Sequence, residues 1–285
     1  MQFLNFKQGS QQGLAVLQGQ DFRGLLTTDA GFPGSLHALL AEGGTALAKA
    51  AEVLGKGPVI DLEKISYLPP IENPGRIFCI GLNYVDHSVE SGFAVPTYPA
   101  IFSRFPSSMV GHGAPIVRPK VSPQLDYEAE LVAIIGKPGR YIAKENALAH
   151  IAGYSICNDA SIRDYQFKSA QWTMGKNFDG TGPFGPSFIT ADELPPGATG
   201  LRIQTRLNGI VVQDASTSSL IFDVATLVMQ LSEAVCLQPG DLIVTGTPSG
   251  VGLARKPPLW MKHGDVCEIE IEGIGILRNP VVDEQ

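Results

Sequence analysis

Cysteine is scarce in this sequence, with four among 285 residues. Cys79, Cys157, Cys236 and Cys267 lie far apart and form no C-x-x-C pair, so the spacing spells neither a disulfide framework nor a thiolate zinc motif. Cys79, Cys157 and Cys267 sit in strand-like apolar segments, which reads as reduced, buried thiols. Positive charge is also short: 21 Lys and Arg stand against 28 Asp and Glu, for a formal charge of −7 and a pI near 5.2. No basic run follows a phosphate backbone, which excludes nucleic acid and anionic membrane surfaces as partners, and an anionic ligand would need local positive charge. No apolar run reaches the ~18 residues that span a bilayer. The segment Met1 to Lys7 lacks the charged-then-apolar pattern of a secretion signal, so the expected location is the cytoplasm. Internal repeats and low-complexity stretches are absent as well.

What is present is a globular composition, 44% hydrophobic and 17% charged. A chain this long can bury roughly 75% of its unfolded surface, so it needs no structural metal, and any metal site is free to be catalytic. The first seventy residues read as a small unit: short strands around Gly13 to Gln18, then one helical stretch from Ser35 to Leu54 with Leu36, Leu39, Leu40, Leu47 and Leu54 as its apolar positions. Gly55, Gly57 and Pro58 stop that helix. Pro69-Pro70 and Asn73-Pro74-Gly75 mark a boundary, giving a small N-terminal domain over 1–70 and a catalytic domain over 74–285. Beyond it come short β runs at Ile77 to Ile80, Glu130 to Ile135, Ala152 to Cys157, Arg202 to Leu207, Ile210 to Val212, Leu242 to Thr245 and Val266 to Ile271. Asn208-Gly209 reads as a type I′ hairpin turn, and helix is expected at Ala143 to His150 and Asp223 to Ser232. The fold class is mixed α/β and β-rich.

Five segments carry candidate chemistry. In Asp126 to Ile135 a period of two puts Glu128, Glu130 and Val132 on one face of a strand. Two carboxylates spaced this way suit one hard cation, although the same alternation at Glu268, Glu270 and Glu272, with no evident partner, shows that such a pair can simply face water. A second acidic site follows the apolar strand ending at Cys157, where Asp159 either completes a three-carboxylate set or, with Asn158, makes a turn or helix cap. All-oxygen ligation favours Mg²⁺, Mn²⁺ or Ca²⁺ over zinc. After Gly81, a short helix capped by Asn83 or Asp86 places His87 and Glu90 on one face, either as a base with its orienting carboxylate or as a solvated pair. Lys176 stands among Gly and aromatic residues, which suggests a placed ammonium as readily as a surface one. Thr245 to Gly252 is a Gly-rich loop without a P-loop or Rossmann ending; its amides and the hydroxyls of Thr245 and Thr247 suit a carboxylate, or it is an ordinary tight loop.

Together, Gly81-Leu-Asn-Tyr-Val-Asp-His-Ser-Val-Glu90, Asp126-Tyr-Glu-Ala-Glu130, Gly153 to Gln166, Gly175-Lys-Asn-Phe-Asp179 and Pro239 to Gly252 closely resemble the fumarylacetoacetate hydrolase family, from about Arg76 to Val282. The resemblance implies β-sheets rolled around a metal site, a small variable N-terminal domain and a homodimer. It implies Glu128, Glu130 and Asp159 as ligands of Mg²⁺, Mn²⁺ or Ca²⁺. His87 with Glu90 becomes a water-activating dyad on a mobile lid, and Lys176 the group facing substrate and enolate. Arg163, Gln166 and Thr247 match substrate-pocket positions. The activity so implied is hydrolysis of the C–C bond in a 2,4-dioxo acid, such as fumarylpyruvate or maleylpyruvate, to pyruvate and a second acid. Decarboxylation or tautomerisation of an oxaloacetate-like acid, or a hydratase or isomerase step, would use the same residues. A non-catalytic 2-oxo acid binding protein is the reading from another class. Residues that select the distal part of the substrate are expected between Gly92 and Pro106 and in the N-terminal domain.

Overall fold

The computed structural model describes residues 1–90, 92 and 94–285; Phe93, within the stretch expected to select substrate, lies outside the described residues. An 11-stranded sheet dominates. Along it run Asp21–Leu26, Gln11–Gln18, Gln2–Gln8, Gly182–Thr190, Ile151–Asn158, Ala129–Ile135, Leu242–Val244, Ile77–Gly81 and Ala100–Ser103, with Ser66–Tyr67 and Met109–Val110 as side branches. A second sheet orders Ile210–Ser216, Arg202–Leu207, Val266–Ile271, Gly275–Asp283 and Ile116–Arg118.

The strand Ala129–Ile135 is buried throughout, and its alternation sorts residues into two cores. Leu131, Ala133 and Ile135 pack with Ile203, Ile269 and Leu277 of the five-stranded sheet and with Leu227 and Leu231 of the helix Val224–Ala234. Val132 and Ile134 face the other way, onto Phe3, Leu36, Leu39, Leu47 and Leu54. A strand covered on both faces reads as the near-continuous apolar run seen in the sequence.

The N-terminal segment shares this framework. Gln2 and Phe3 pair with Ile189 and Phe188, so the chain before Pro69 adds strands and one face of core to the same sheet. The strand Gln2–Gln8 had no distinct signature in the sequence. The single helix expected over Ser35 to Leu54 is two, Leu36–Glu42 and Gly44–Leu54, because Gly43 takes φ 93°, a left-handed value that ends the first helix. The stretch near His150 is a 3₁₀ helix, Lys144–His150, rather than an α-helix. The helix Val224–Ala234 begins where expected, its end capped by Asp223 accepting from Thr226 N at 2.7 Å. Asn208 and Gly209 take φ of 53° and 79°, as a type I′ turn requires. Glu268 and Glu270 are not partnerless: Arg206 lies 3.4 and 2.7 Å from them across the five-stranded sheet.

Candidate active site

Four strands bring their ends to one edge of the large sheet. Ile151–Asn158 runs antiparallel to Ala129–Ile135, so its C-terminal end lies beside Ala129. Leu242–Val244 is also antiparallel to that strand, and Ile77–Gly81 is parallel to Leu242–Val244. The residues just beyond these ends meet there. Leu125–Asp126 and Ala129–Ile135 are separate strands, interrupted at Tyr127 and Glu128. Glu128 and Glu130 nevertheless face the same way, and together with Asp159 offer oxygens within 4.8 Å of one another. All three are buried.

Cations surround this set unevenly. Lys176, at the end of a short helix and 2% exposed, places Nζ 2.6 Å from both Glu128 Oε2 and Asp159 Oδ2. Burial alone would pull the ammonium down, but Asp159 and Glu128 outweigh it and the net shift is upward, so Lys176 stays charged. Burial would likewise raise Glu128, yet Lys176, Arg163 and His87 hold it down at about 2. Glu130 is different. Its one hydrogen bond among the described residues is from Gly246 N at 2.6 Å, and burial, with Asp159 and Glu128 nearby, pushes it well above the carboxylate range. A buried carboxylate beside two others and lacking its own cation is a donor set that fits a hard divalent ion. Gly246 has φ 101°, and a Cβ there would press on Asn83 Cβ at 2.7 Å; glycine lets the amide reach Glu130.

His87 Nδ1 lies 3.0 Å from Glu90 Oε1 on the helix Val85–Glu90, and both Glu90 oxygens accept from Gly250 N at 2.9 and 3.0 Å. Asn83 does not cap this helix. Its amide donates to Phe222 O and Thr245 O and accepts from Phe222 N, tying the segment to the stretch just before the helix Val224–Ala234 and to the Gly-rich loop.

Arg163 is fixed by Asp126, to which Nε donates at 2.7 Å, and by Gln166 Oε1, which accepts from Nη1 at 2.8 Å. Its Nη2 forms an ion pair with Glu128 Oε1 at 2.7 Å. Asp126 also accepts from Gly252 N and Leu253 N, so one carboxylate sets both the guanidinium and the loop.

His87, Glu128, Glu130, Asp159, Arg163, Gln166, Lys176 and Thr247 all line one cavity of about 60 Å³. Thr245 does not, because its hydroxyl is buried and donates to Leu131 O. Asp159 makes no cap; it pairs with Lys176 and with Arg104, which donates at 2.7 Å from Nη1.

Arg104, Gln213 and the aromatic wall of Phe102 and Trp172 were not evident from sequence. Arg104 had one faint signal, a lone charge between Phe102 and Phe105. A Cβ at Gly81 would collide with the Trp172 ring, which packs edge-on against Phe102 at 5.5 Å. Lys176 Nζ stands 5.1 Å from the Phe102 ring centre.

A family described as fumarylacetoacetate hydrolase, C-terminal, matches residues 76–282. The chain is 41% identical over 273 residues to the mitochondrial oxaloacetate tautomerase fahd2 of Xenopus laevis, covering 95% of this chain and 85% of that one. A fumarylacetoacetate hydrolase from Exiguobacterium antarcticum superposes with a TM-score of 0.86 at 36% identity over the whole of both chains. A maleylpyruvate hydrolase from Sphingobium, solved with manganese(II) and pyruvate, gives 0.82 at 28% identity, again over both whole chains. Among the described residues no helix is long and apolar enough to cross a membrane.

Proposed function

This chain belongs to the fumarylacetoacetate hydrolase family, and from that membership we propose that it is a divalent-metal-dependent enzyme interconverting the enol and keto forms of a short 2-oxo acid of the oxaloacetate type. The observation that carries the proposal is the 41% identity, over 95% of the chain, to an oxaloacetate tautomerase. Hydrolysis of a longer dioxo acid, the reading favoured by the sequence motifs, thereby becomes the second choice.

Glu128, Glu130 and Asp159 would hold Mg²⁺ or Mn²⁺, and the bound ion supplies Lewis-acid polarisation of the 2-oxo group. The guanidinium of Arg163, with Gln166 and Thr247, binds the substrate's carboxylate oxygens. His87 has Nδ1 committed to Glu90, which leaves Nε2 to face the cavity. Nε2 accepts a proton from C3 as the C–H electron pair shifts toward C2 and the carbonyl pair moves onto the 2-oxygen. Lys176 stabilises the negative charge that develops on that oxygen. Return of that proton from His87 Nε2 to the oxygen gives the enol and restores the neutral imidazole, and the reverse path gives the ketone; no water is added and no bond between carbons breaks.

The second reading rests on the same His87–Glu90 pair and on the likeness to maleylpyruvate hydrolase. There His87 would take its proton from water, which would attack the distal carbonyl of a dioxo acid.

The test follows enol-oxaloacetate absorbance, corrected for the uncatalysed rate, with Mg²⁺ or excess chelator, for wild type and His87→Ala. Pyruvate and CO₂ are assayed in parallel, and maleylpyruvate and fumarylpyruvate serve as alternative substrates. Metal-dependent loss of enol without pyruvate or CO₂, abolished in His87→Ala, is the expected result. Pyruvate from a dioxo acid with no effect on oxaloacetate would replace it with the second reading.

A further inference from the structure

Gln213, in the strand Ile210–Ser216, is 2% exposed and its side-chain amide is fully engaged. Its Oε1 accepts from Ala129 N at 3.1 Å and from Thr205 Oγ1 at 2.7 Å. Its Nε2 donates to Pro248 O at 2.8 Å and to Thr247 Oγ1 at 2.9 Å. A backbone N–H only donates and a backbone carbonyl only accepts, so the amide cannot be turned over without breaking both of those bonds. Thr247 Oγ1 is therefore held as an acceptor toward Gln213. Its own proton finds no acceptor among the described residues, and Thr247 lines the cavity beside Arg163 and Lys176. A buried hydroxyl of fixed polarity calls for a partner on its open side.

We infer that Gln213 is a positioning residue that makes Thr247 an obligate hydrogen-bond donor to an anionic oxygen of the bound ligand, a carboxylate or enolate oxygen. The inference rests on the reading of the cavity as a 2-oxo acid site. A threonine with a freely rotating hydroxyl would donate and accept equally well. Gln213 removes that choice before the ligand arrives, so no reorientation is needed as charge builds on the oxygen. Neighbouring Thr245 cannot substitute, since its proton already goes to Leu131 O.

The test is calorimetric binding of oxalate, whose two adjacent carboxylates mimic the carboxylate and enolate oxygens, to the Mn²⁺-saturated full chain. Thr247→Val should weaken oxalate roughly 10- to 100-fold, the worth of one hydrogen bond to a charged acceptor. Gln213→Glu should weaken it by a similar factor, because the carboxylate would draw the Thr247 proton to itself. In the Thr247→Val background Gln213→Glu should then cost nothing further, whereas an effect of its charge on the ligand would persist. Thr247→Ser, which keeps the hydroxyl, should bind within about threefold of wild type, and Mn²⁺ affinity should be retained throughout. Unchanged oxalate affinity in Thr247→Val, further loss in the double variant, or loss of Mn²⁺ along with oxalate would overturn the assignment. Failure of the Mn²⁺-loaded wild type to bind oxalate would instead overturn the 2-oxo acid reading itself.

Discussion

Arg104 donates to Asp159 Oδ1 at 2.7 Å with both side chains sealed from solvent. The same guanidinium reaches Ala160 O, Ser108 Oγ and Thr181 Oγ1, so it has no freedom to leave. It occupies one oxygen of Asp159 while Lys176 meets the other. Replacing Arg104 with Met leaves a buried carboxylate short of a partner, and the chelated protein is expected to lose about 3 kcal/mol of stability. Urea unfolding measures this; a midpoint equal to wild type would show the pair to be dispensable.

Metal removal should matter more as pH rises. Glu130 is pushed above its ordinary value of 4.5, so its contribution to the metal-free fold is present below that value and lost as pH climbs through its own. Glu128, held at about 2, acts in the opposite sense and loses its contribution only toward strongly acidic pH. A divalent ion held by Glu128, Glu130 and Asp159, as proposed, would neutralise the Glu130 charge. The gap in Tm between Mn²⁺-loaded and chelated protein is therefore expected to widen from about pH 5 to about pH 8, with proton release on Mn²⁺ binding seen by calorimetry in two buffers. A gap independent of pH would remove Glu130 from the ligand set.

Glu90 joins His87 to the Gly-rich loop through Gly250 N. Glu90→Gln keeps the shape but replaces the charged partner of His87 Nδ1 with a neutral amide. The expected loss in kcat is about 10²-fold, the lower end for general acid–base work, with metal affinity intact. A wild-type kcat in steady-state assays would mean that His87 is oriented without it.

Gly81 leaves no space toward Trp172. Gly81→Ala should force the indole to move, at a cost of about 1–3 kcal/mol for overpacking. Trp172 is one of two tryptophans, so a changed emission spectrum together with a lowered Tm is the expected signature, and an unchanged spectrum would contradict the contact.

Legibility in the sequence followed locality. The carboxylates of Glu128 and Glu130 announce themselves by alternation, and Asp159 by a polar cluster at the end of an apolar strand. His87 and Glu90 are three residues apart on one helix. Arg104 and Gln213 offer no such pattern, because their partners lie 55 and 34 residues away in the chain. The Gly-rich loop by itself offers the hydroxyls of Thr245 and Thr247 alike, and only the resemblance singles out Thr247; the backbone at Leu131 is what commits the Thr245 hydroxyl. The break at Gly43 was hidden by an apolar spacing that continues across it, and the partners of Glu268 and Glu270 appear only when the strand Arg202–Leu207 is laid beside them.

The pairing of Phe3 with Phe188 sets a delay into biosynthesis. The meander Gln2–Leu26 is made of consecutive hairpins and can assemble as soon as it leaves the ribosome. Its open edge then waits for a strand about 180 residues downstream, roughly 10–40 s at ordinary elongation rates. Through that interval the helices Leu36–Glu42 and Gly44–Leu54 are already available to cover Phe3, Leu14 and Val16, so the part left exposed is the backbone edge of Gln2–Gln8, which is open to pairing with another chain.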